Sequence, residues 1–384
     1  MTLTKMQAQQ TNFSHLWLTG WPFQTVPDES FARFWADRTK LKQQIDQLLW
    51  KWPRKDRGFL QLMWADLGSG KSHTLLYIYQ HCLHHPELGI LPFFAVMPKE
   101  IRSFLDVYQA IAASLDSDEL AEIFSHACRR AGSTKAAAND LFPFIPDAGT
   151  VLRKIQSDDE ITKRLARAWF AGTRGMTRGQ LNTLEVSRAI KTTDDCVAML
   201  RGAVRLVSDS GKYRRVLVMI DECQRMWTFK TSIGKDIDTG LQTWYDSSHK
   251  HLTLLLSFRC GFEKHVYDLI SKDLQSRADL PNISLPLLIR DEAMHFIRDL
   301  LDFFRVDGAP SPWLPFNEGT VKAIVVHLTK NGGVSPRHLM NAFNALLEDA
   351  DYQIVTTGRF DLDTSAMLEI VDKTLHGLKT GDEE

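Results

Sequence analysis

The chain has 384 residues, 44% of them hydrophobic, enough for one large core or two ordinary ones. Its formal net charge of −1 excludes a global basic field, so any nucleic-acid surface must be a local patch. Five scattered cysteines (Cys82, Cys128, Cys196, Cys223, Cys260) with no CxxC pair read as reduced thiols, not as a disulfide framework or a zinc site.

The first ten residues are polar and carry no apolar signal core, and no run approaches ~18 apolar residues. The expectation is a cytoplasmic protein without a membrane span. Residues 1–58 form a preface to the first domain. Trp21-Pro-Phe-Gln-Thr-Val-Pro-Asp28 is rich in turns, with aromatic anchors suited to packing on a domain surface. Phe31, Phe34, Trp35, Leu41, Ile45, Leu48 and Leu49 keep near-helical spacing and predict a helix over 28–50. Lys51-Trp-Pro-Arg-Lys-Asp-Arg-Gly58 breaks it, with basic residues interleaved between Trp50, Trp52 and the next strand. A solvated loop is the leading reading of this segment and a nucleic-acid contact the other.

Phe59 to Leu76 reads as an apolar strand, a tight glycine turn and a helix opening on Lys71-Ser72. Gly68, Ser69, Gly70, Lys71 and Ser72 fit the phosphate-loop pattern GxxxxGK[ST], except that Ala65 stands where the first glycine belongs. Glycines let backbone N–H groups curl around an anion, and the helix start adds unpaired N–H groups at a positive dipole end. Lys71 suits the outer phosphates of ATP, and the Ser72 hydroxyl suits Mg²⁺. His73 follows directly and is counted with the loop. Further on, His81, His84 and His85 share one helix side with no second ligand cluster, which reads as a helix end.

Ile90 to Met97 is a second buried strand, and the spacing of Ile101, Phe104, Leu105, Tyr108, Ile111 and Leu115 predicts a helix over 99–127. Residues 128–190 differ in texture. Stretches 131–140 and 142–149 read as loops, 155–169 as a helix, and Gly172, Gly175 and Gly179 as a punctuated linker. A helix over 192–207 follows, with Val197, Leu200, Val204 and Val207 as its stripe.

Val216 to Ile220 is an apolar run ending in Asp221-Glu222. Such a strand belongs in the centre of a parallel sheet, and ligands of open α/β sheets sit at the carboxyl ends of those strands. Asp221 suits Mg²⁺, and Glu222 suits orienting and deprotonating an attacking water. Leu252 to Phe258 is a third strand, expected beside the phosphate-loop strand, with Ser257 near the γ-phosphate or that water. Arg259 and Arg277 are candidate arginine fingers, and Ile283 to Leu288 looks like a further strand. Helices are expected over 291–304 and 318–329. Ser335-Pro336-Arg337 then reads as an N-cap, a first-turn proline and a basic residue opening a helix through Leu347.

Taken together, these motifs resemble an AAA+ ATPase. The loop Gly68–Ser72, Asp221-Glu222, Ser257 and Gly333-Val-Ser-Pro-Arg337 are similar to Walker A, Walker B, sensor 1 and sensor 2. The resemblance is to the origin-recognition-like clade and its bacterial relatives: transposon target-selection ATPases, secretion-associated ExeA-like ATPases and P-loop proteins of BREX-type phage-defence operons. The preface Trp21 to Asp28 resembles that bacterial group, and Ala166-Arg-Ala-Trp-Phe-Ala-Gly172 is similar to the defence-operon proteins.

The fold so implied is α/β, a parallel-sheet P-loop NTPase core over 59–290, with a helical insertion at 128–190 and a small helical lid and tail over 291–384. The resemblance implies ATP and Mg²⁺ as cofactors, a homo-oligomer bridged by an arginine such as Arg277, and Arg337 reaching the nucleotide from the lid. DNA, and a partner nuclease, methyltransferase or transposase, are the implied partners. The long separation of Lys71 from Asp221 marks the insertion. The short stretch after Arg337 leaves no room for a winged-helix domain behind the lid. Lys230 and Lys235 after Walker B, with Lys212, Arg214 and Arg215, are candidate phosphate contacts. The alternative function is a signalling or secretion-associated ATPase switch that meets a protein partner and no DNA.

Overall fold

The computed structural model describes residues 13–24, 32, 34–227, 231–360 and 363–381. The chain divides into two compact units, one of 43–65 and 75–284, the other of 1–42, 66–74 and 285–384.

The larger unit is built on a parallel sheet. Short apolar runs, several rich in β-branched or aromatic residues, make β1 (Phe59–Ala65), β2 (Ile90–Val96), β3 (Arg215–Asp221), β4 (Leu252–Arg259) and the two-residue β5 (Ile283–Ser284). Their order is β2-β3-β4-β1-β5. Every residue of β3 is buried, as a strand covered on both faces requires. β4 lies beside β1 as expected, with Met63 opposite Ser257 and Ala65 opposite Arg259. The expected strand 283–288 shortens to β5, because Pro286 has no N–H for a ladder.

Helices α1 (Thr39–Lys51), α2 (Lys71–His84), α3 (Phe104–Ser114), α4 (Ser117–Ala131), α5 (Thr134–Leu141), α6 (Asp147–Ile155), α7 (Glu160–Phe170), α8 (Arg178–Leu184), α9 (Thr193–Asp209), α10 (Thr231–Ser248), α11 (Glu263–Leu269) and α12 (Lys272–Arg277) complete this part of the chain. Three expectations are corrected. The helix expected over 28–50 starts only at Thr39, because Asp37 and Arg38 take φ of 46° and 49°; positions 25–31 and 33 lie outside the described residues. The helix expected over 99–127 is two helices. Asp116 ends the first run and caps the second, its side chain accepting the N–H groups of Asp118 and Glu119. The loop expected at 131–140 is largely α5, where an alanine-rich run behind the Ser133 cap favours helix, while 142–146 is a loop as expected and α6 begins at Asp147.

The 128–190 region shares one core with the sheet: Phe142, Trp169 and Leu184 join the same cluster as Phe93, Val218 and Leu254. The Trp169 indole N–H donates to the Arg188 carbonyl at 2.8 Å. On α9, Gly202 faces Phe142 so closely that a Cβ there would stand 2.1 Å from the ring.

The smaller unit holds α13 (Arg290–Phe303), α14 (Glu318–Leu328), α15 (Pro336–Thr357) and α16 (Thr364–Gly381). Leu301, Ile324, Phe343 and Val371 form its core together with Leu16 and Phe23 of the preface. The aromatic anchors thus pack as expected, Phe23 against Phe343 at 5.6 Å and the Trp21 N–H on Asn344 Oδ1 at 2.6 Å. Ser335 caps α15 with Pro336 in its first turn. Among the described residues no helix is long and apolar enough to cross a membrane.

Gly202→Val should lower stability by about 1–3 kcal/mol through overpacking against Phe142, seen as a lower urea midpoint. In Gly179→Ala the new Cβ meets only Thr177 Oγ1, at 3.9 Å, and the midpoint should hold or rise slightly. Equal midpoints for wild type and Gly202→Val would refute the α9–Phe142 packing.

Candidate functional site

β1 ends at Ala65, whose carbonyl accepts the Cys260 N–H at 3.2 Å. An extended strand residue needs no glycine, so the departure from the phosphate-loop pattern carries no backbone strain. The left-handed positions come later, at Gly68 (φ 75°) and Gly70 (φ 92°). No heavy atom lies within 4 Å of where a Gly70 Cβ would stand, so the turn is open there. Ser69 is 1% exposed and its hydroxyl has no hydrogen-bond partner. Lys71 opens α2, with Nζ on the Asp66 carbonyl at 3.0 Å, and Gly70 O accepts both the N–H and the hydroxyl of Thr74. An orphaned hydroxyl, an open glycine and a lysine at a helix start fit a phosphate group. Ser72, in the first turn of α2, offers the hard oxygen that Mg²⁺ takes.

The lid helix meets this loop. The Arg337 N–H donates to Gly68 O at 3.1 Å, and a Cβ on Gly68 would stand 2.8 Å from the Arg337 Cβ. Gly68 is therefore required twice, by its φ and by that approach. The preface meets the loop from another direction. Arg38, which sequence periodicity hid inside an expected helix, donates Nη1 to Ser69 O at 2.8 Å and Nη2 to Pro286 O at 2.7 Å. Desolvation lowers its pKa to about 10. The His73 ring meets the Phe34 carbonyl at 2.9 Å, and burial pushes its pKa down. Its side chain thus braces the start of α2 against the preface.

At the carboxyl ends of β3 and β4, Asp221 is 2% exposed. Its Oδ1 accepts the Ser257 hydroxyl at 2.9 Å and the Glu222 N–H at 2.8 Å. Those donors offset the cost of burying a carboxylate. Glu222 sits in the left-handed region, φ 59° and ψ 35°. Its Oε2 accepts from Gln224 Nε2 at 2.9 Å and pairs with Arg225 Nη2 at 3.1 Å. Gln224 Oε1 accepts the Arg259 N–H at 2.9 Å, which ties this turn to the end of β4. Gln224 and Arg225 went unnoticed in the sequence, where they look like an ordinary polar turn.

Other sequence candidates lie elsewhere. Arg277 forms a fork with Asp246, at 2.7 and 2.8 Å, near the start of β1, where Ala278 bridges Leu60. That is the sheet's amino edge, opposite Asp221. Lys212 is paired with Glu119 at 2.8 Å, and Arg215 is buried, so neither is a free phosphate contact. Lys235 is on α10 rather than in a loop, and Lys230 lies outside the described residues.

No family model and no curated protein matches this sequence. Solved structures do. The Walker-type ATPase of Pyrococcus abyssi is 13% identical, with a TM-score of 0.53 over 94% of this chain and 78% of that one. The ORC2 protein of Aeropyrum pernix, in ADPNP–ADP complexes, is 12% identical with a TM-score of 0.51 over 88% of this chain and 67% of that one. The ORC1 protein of the same organism, in complex with DNA, is 10% identical with a TM-score of 0.50 over 93% and 69%. The shared property is the fold, the α/β parallel-sheet architecture of AAA+ P-loop ATPases.

On the expectation from the sequence that ATP binds this loop, Ala65→Gly should cost about 0.5–1 kcal/mol in strand stability and leave the ATP-induced rise in melting temperature intact. Gly68→Ala should abolish that rise, since left-handed backbone costs an alanine about 1–2 kcal/mol and Arg337 blocks its Cβ. A Gly68→Ala protein with a full ATP-induced shift would refute the role of this turn.

Proposed function

We propose that the protein is an ATP-binding and ATP-hydrolysing AAA+ ATPase that works as an assembly switch in a multiprotein DNA-transacting system. The observation that carries the ATP part is the loop itself: two left-handed glycines, an open position at Gly70 and Lys71 at the start of α2. Lys71 and the loop backbone hold the phosphates, with Gly68, Ser69, Gly70, Ser72 and His73 contributing from the turn and helix start. Ser72 and Asp221 are the residues for Mg²⁺, which would supply charge neutralisation at the transferred phosphate. Glu222 is the base for the attacking water and Ser257 positions Asp221. Arg337 senses the nucleotide from the lid helix.

ATP binding assembles copies into a homo-oligomer in the cytoplasm, and hydrolysis dissolves it. An arginine supplied to a neighbour completes the site. Arg277 serves only after leaving Asp246, while Arg259 is already exposed at the end of β4. For the DNA setting, the support is the sequence resemblance to transposon and phage-defence ATPases and the fold shared with an ORC1 protein solved on DNA. The partner is then a nuclease, methyltransferase or transposase, in phage defence or DNA mobility.

Lys71→Ala should lose ATP binding, and Glu222→Gln should bind ATP normally while turnover falls by about 10²–10⁴, the usual worth of a general base. Unchanged turnover in both variants would sink the ATPase assignment. Stimulation of the wild-type turnover by DNA, falling steeply with salt, supports the DNA setting. Turnover indifferent to DNA but raised by a protein partner would replace it with the signalling or secretion-associated reading.

A further inference from the structure

A parallel sheet has a second edge, where its strands begin, and here that edge gathers three basic stretches that are far apart in sequence. Arg215 is the bolt. Its buried guanidinium donates to Trp52 O at 2.7 Å, to Lys55 O at 2.6 Å and to Leu252 O at 3.4 Å. Trp52 is 1% exposed and anchors the same turn. Gly58 lies against the 249–251 turn so tightly that a Cβ would stand 2.2 Å from His249 O. The segment before β1 is thus fixed beside the turn before β4, and the 212–214 turn precedes β3 next to it.

Many charges on this edge cancel: Arg57 with Asp279, Arg277 with Asp246, Lys212 with Glu119, and Arg205 with Asp140 and Asp209. Among the described residues, Arg54, Lys55, Arg214 and Lys250 are exposed and form no ion pair. Trp50 is 59% exposed, and the Arg54 guanidinium stacks 4.5 Å over its ring. Beside Lys250 lies a hollow of ≈ 300 Å³, lined also by Arg201 and Ser248. Ser248 is only 8% exposed, and its hydroxyl has no hydrogen-bond partner.

We propose that this amino edge binds the phosphate backbone of DNA, with Arg54, Lys55, Arg214 and Lys250 as its cations. The proposal rests on the DNA setting read above and gives it a place: the edge opposite the one where Asp221 and Glu222 emerge. Strands spaced about 4.8 Å apart put the turns before β3 and β1 about 10 Å from one another. Duplex DNA carries a charge every ~1.7 Å, so phosphates are available along that whole length.

The test is fluorescence anisotropy of a labelled duplex against the full chain, over a salt series, with basal ATP turnover measured in parallel. Lys55→Glu/Lys250→Glu changes two exposed side chains, so it should fold and turn over ATP as the wild type does. It should bind the duplex at least about tenfold more weakly, with a log–log salt slope smaller by about 2. Lys235→Glu, on α10, should bind like the wild type. Equal affinity and slope in the double variant would overturn the amino-edge site while leaving the DNA setting standing. A wild-type protein that ignores duplex at low salt would overturn both, and binding of poly-glutamate instead would assign the edge to an acidic protein.

Discussion

All paired strands of this sheet run in one direction, and that single constraint sorts the chemistry of the larger unit. Every strand starts at one edge and ends at the other. The carboxyl edge receives Asp221, Glu222, Ser257 and the departure of the 66–70 loop from Ala65. The amino edge receives 51–58, 212–214 and 249–251, with their excess of lysine and arginine. The near-neutral composition therefore conceals a local basic excess at the amino edge. Arg215 shows how firmly the edge is fixed. Burial lowers its pKa to about 10, and its guanidinium donates to three carbonyls from two segments.

In the smaller unit the equivalent constraint is the loop at Gly68. Arg38 from the preface, Arg337 from α15 and the loop meet within hydrogen-bond distance. Both arginines address loop backbone, Arg38 through its guanidinium and Arg337 through its N–H. That leaves the Arg337 side chain exposed, whereas the Arg38 guanidinium is committed to Ser69 and Pro286. The two are thus different in kind: one fixes the loop through its side chain, the other through its backbone alone.

Strands β1, β3 and β4 were legible because a short apolar run bounded by turn residues has few alternatives inside an α/β pattern. The glycine turn before Lys71 and the cap Ser335-Pro336 were legible because they are local: each needs only a few adjacent residues of special geometry. What periodicity missed is non-local or conformational. Nothing in Phe34 to Leu41 announces that Asp37 and Arg38 turn left-handed, since Arg38 is held by carbonyls of residues 69 and 286. Residues 131–149 look like loops because their apolar positions are small or aromatic. Tertiary packing onto α9 and the main core makes 134–141 helical, and 142–146 stays a loop. Arg277 followed the order of elements expected of a finger, but sequence order cannot show that Asp246 lies within its reach.

Glu222 is where local strain and chemistry coincide. A glutamate at φ 59° costs on the order of 1–3 kcal/mol and persists only where its surroundings over-determine it. Here Asp221 accepts its N–H, while Gln224 and Arg225 hold its carboxylate. Gln224 is also bonded to the backbone of Arg259, so the contact that restrains Glu222 is shared with the end of β4, one residue beyond Phe258 and two beyond Ser257. A shift at the end of β4 therefore acts on Glu222 through Gln224, and on Asp221 through the Ser257 hydroxyl. The strand carrying Ser257 is mechanically linked to both carboxylates, so a displacement of its end is felt at Asp221 and Glu222 together.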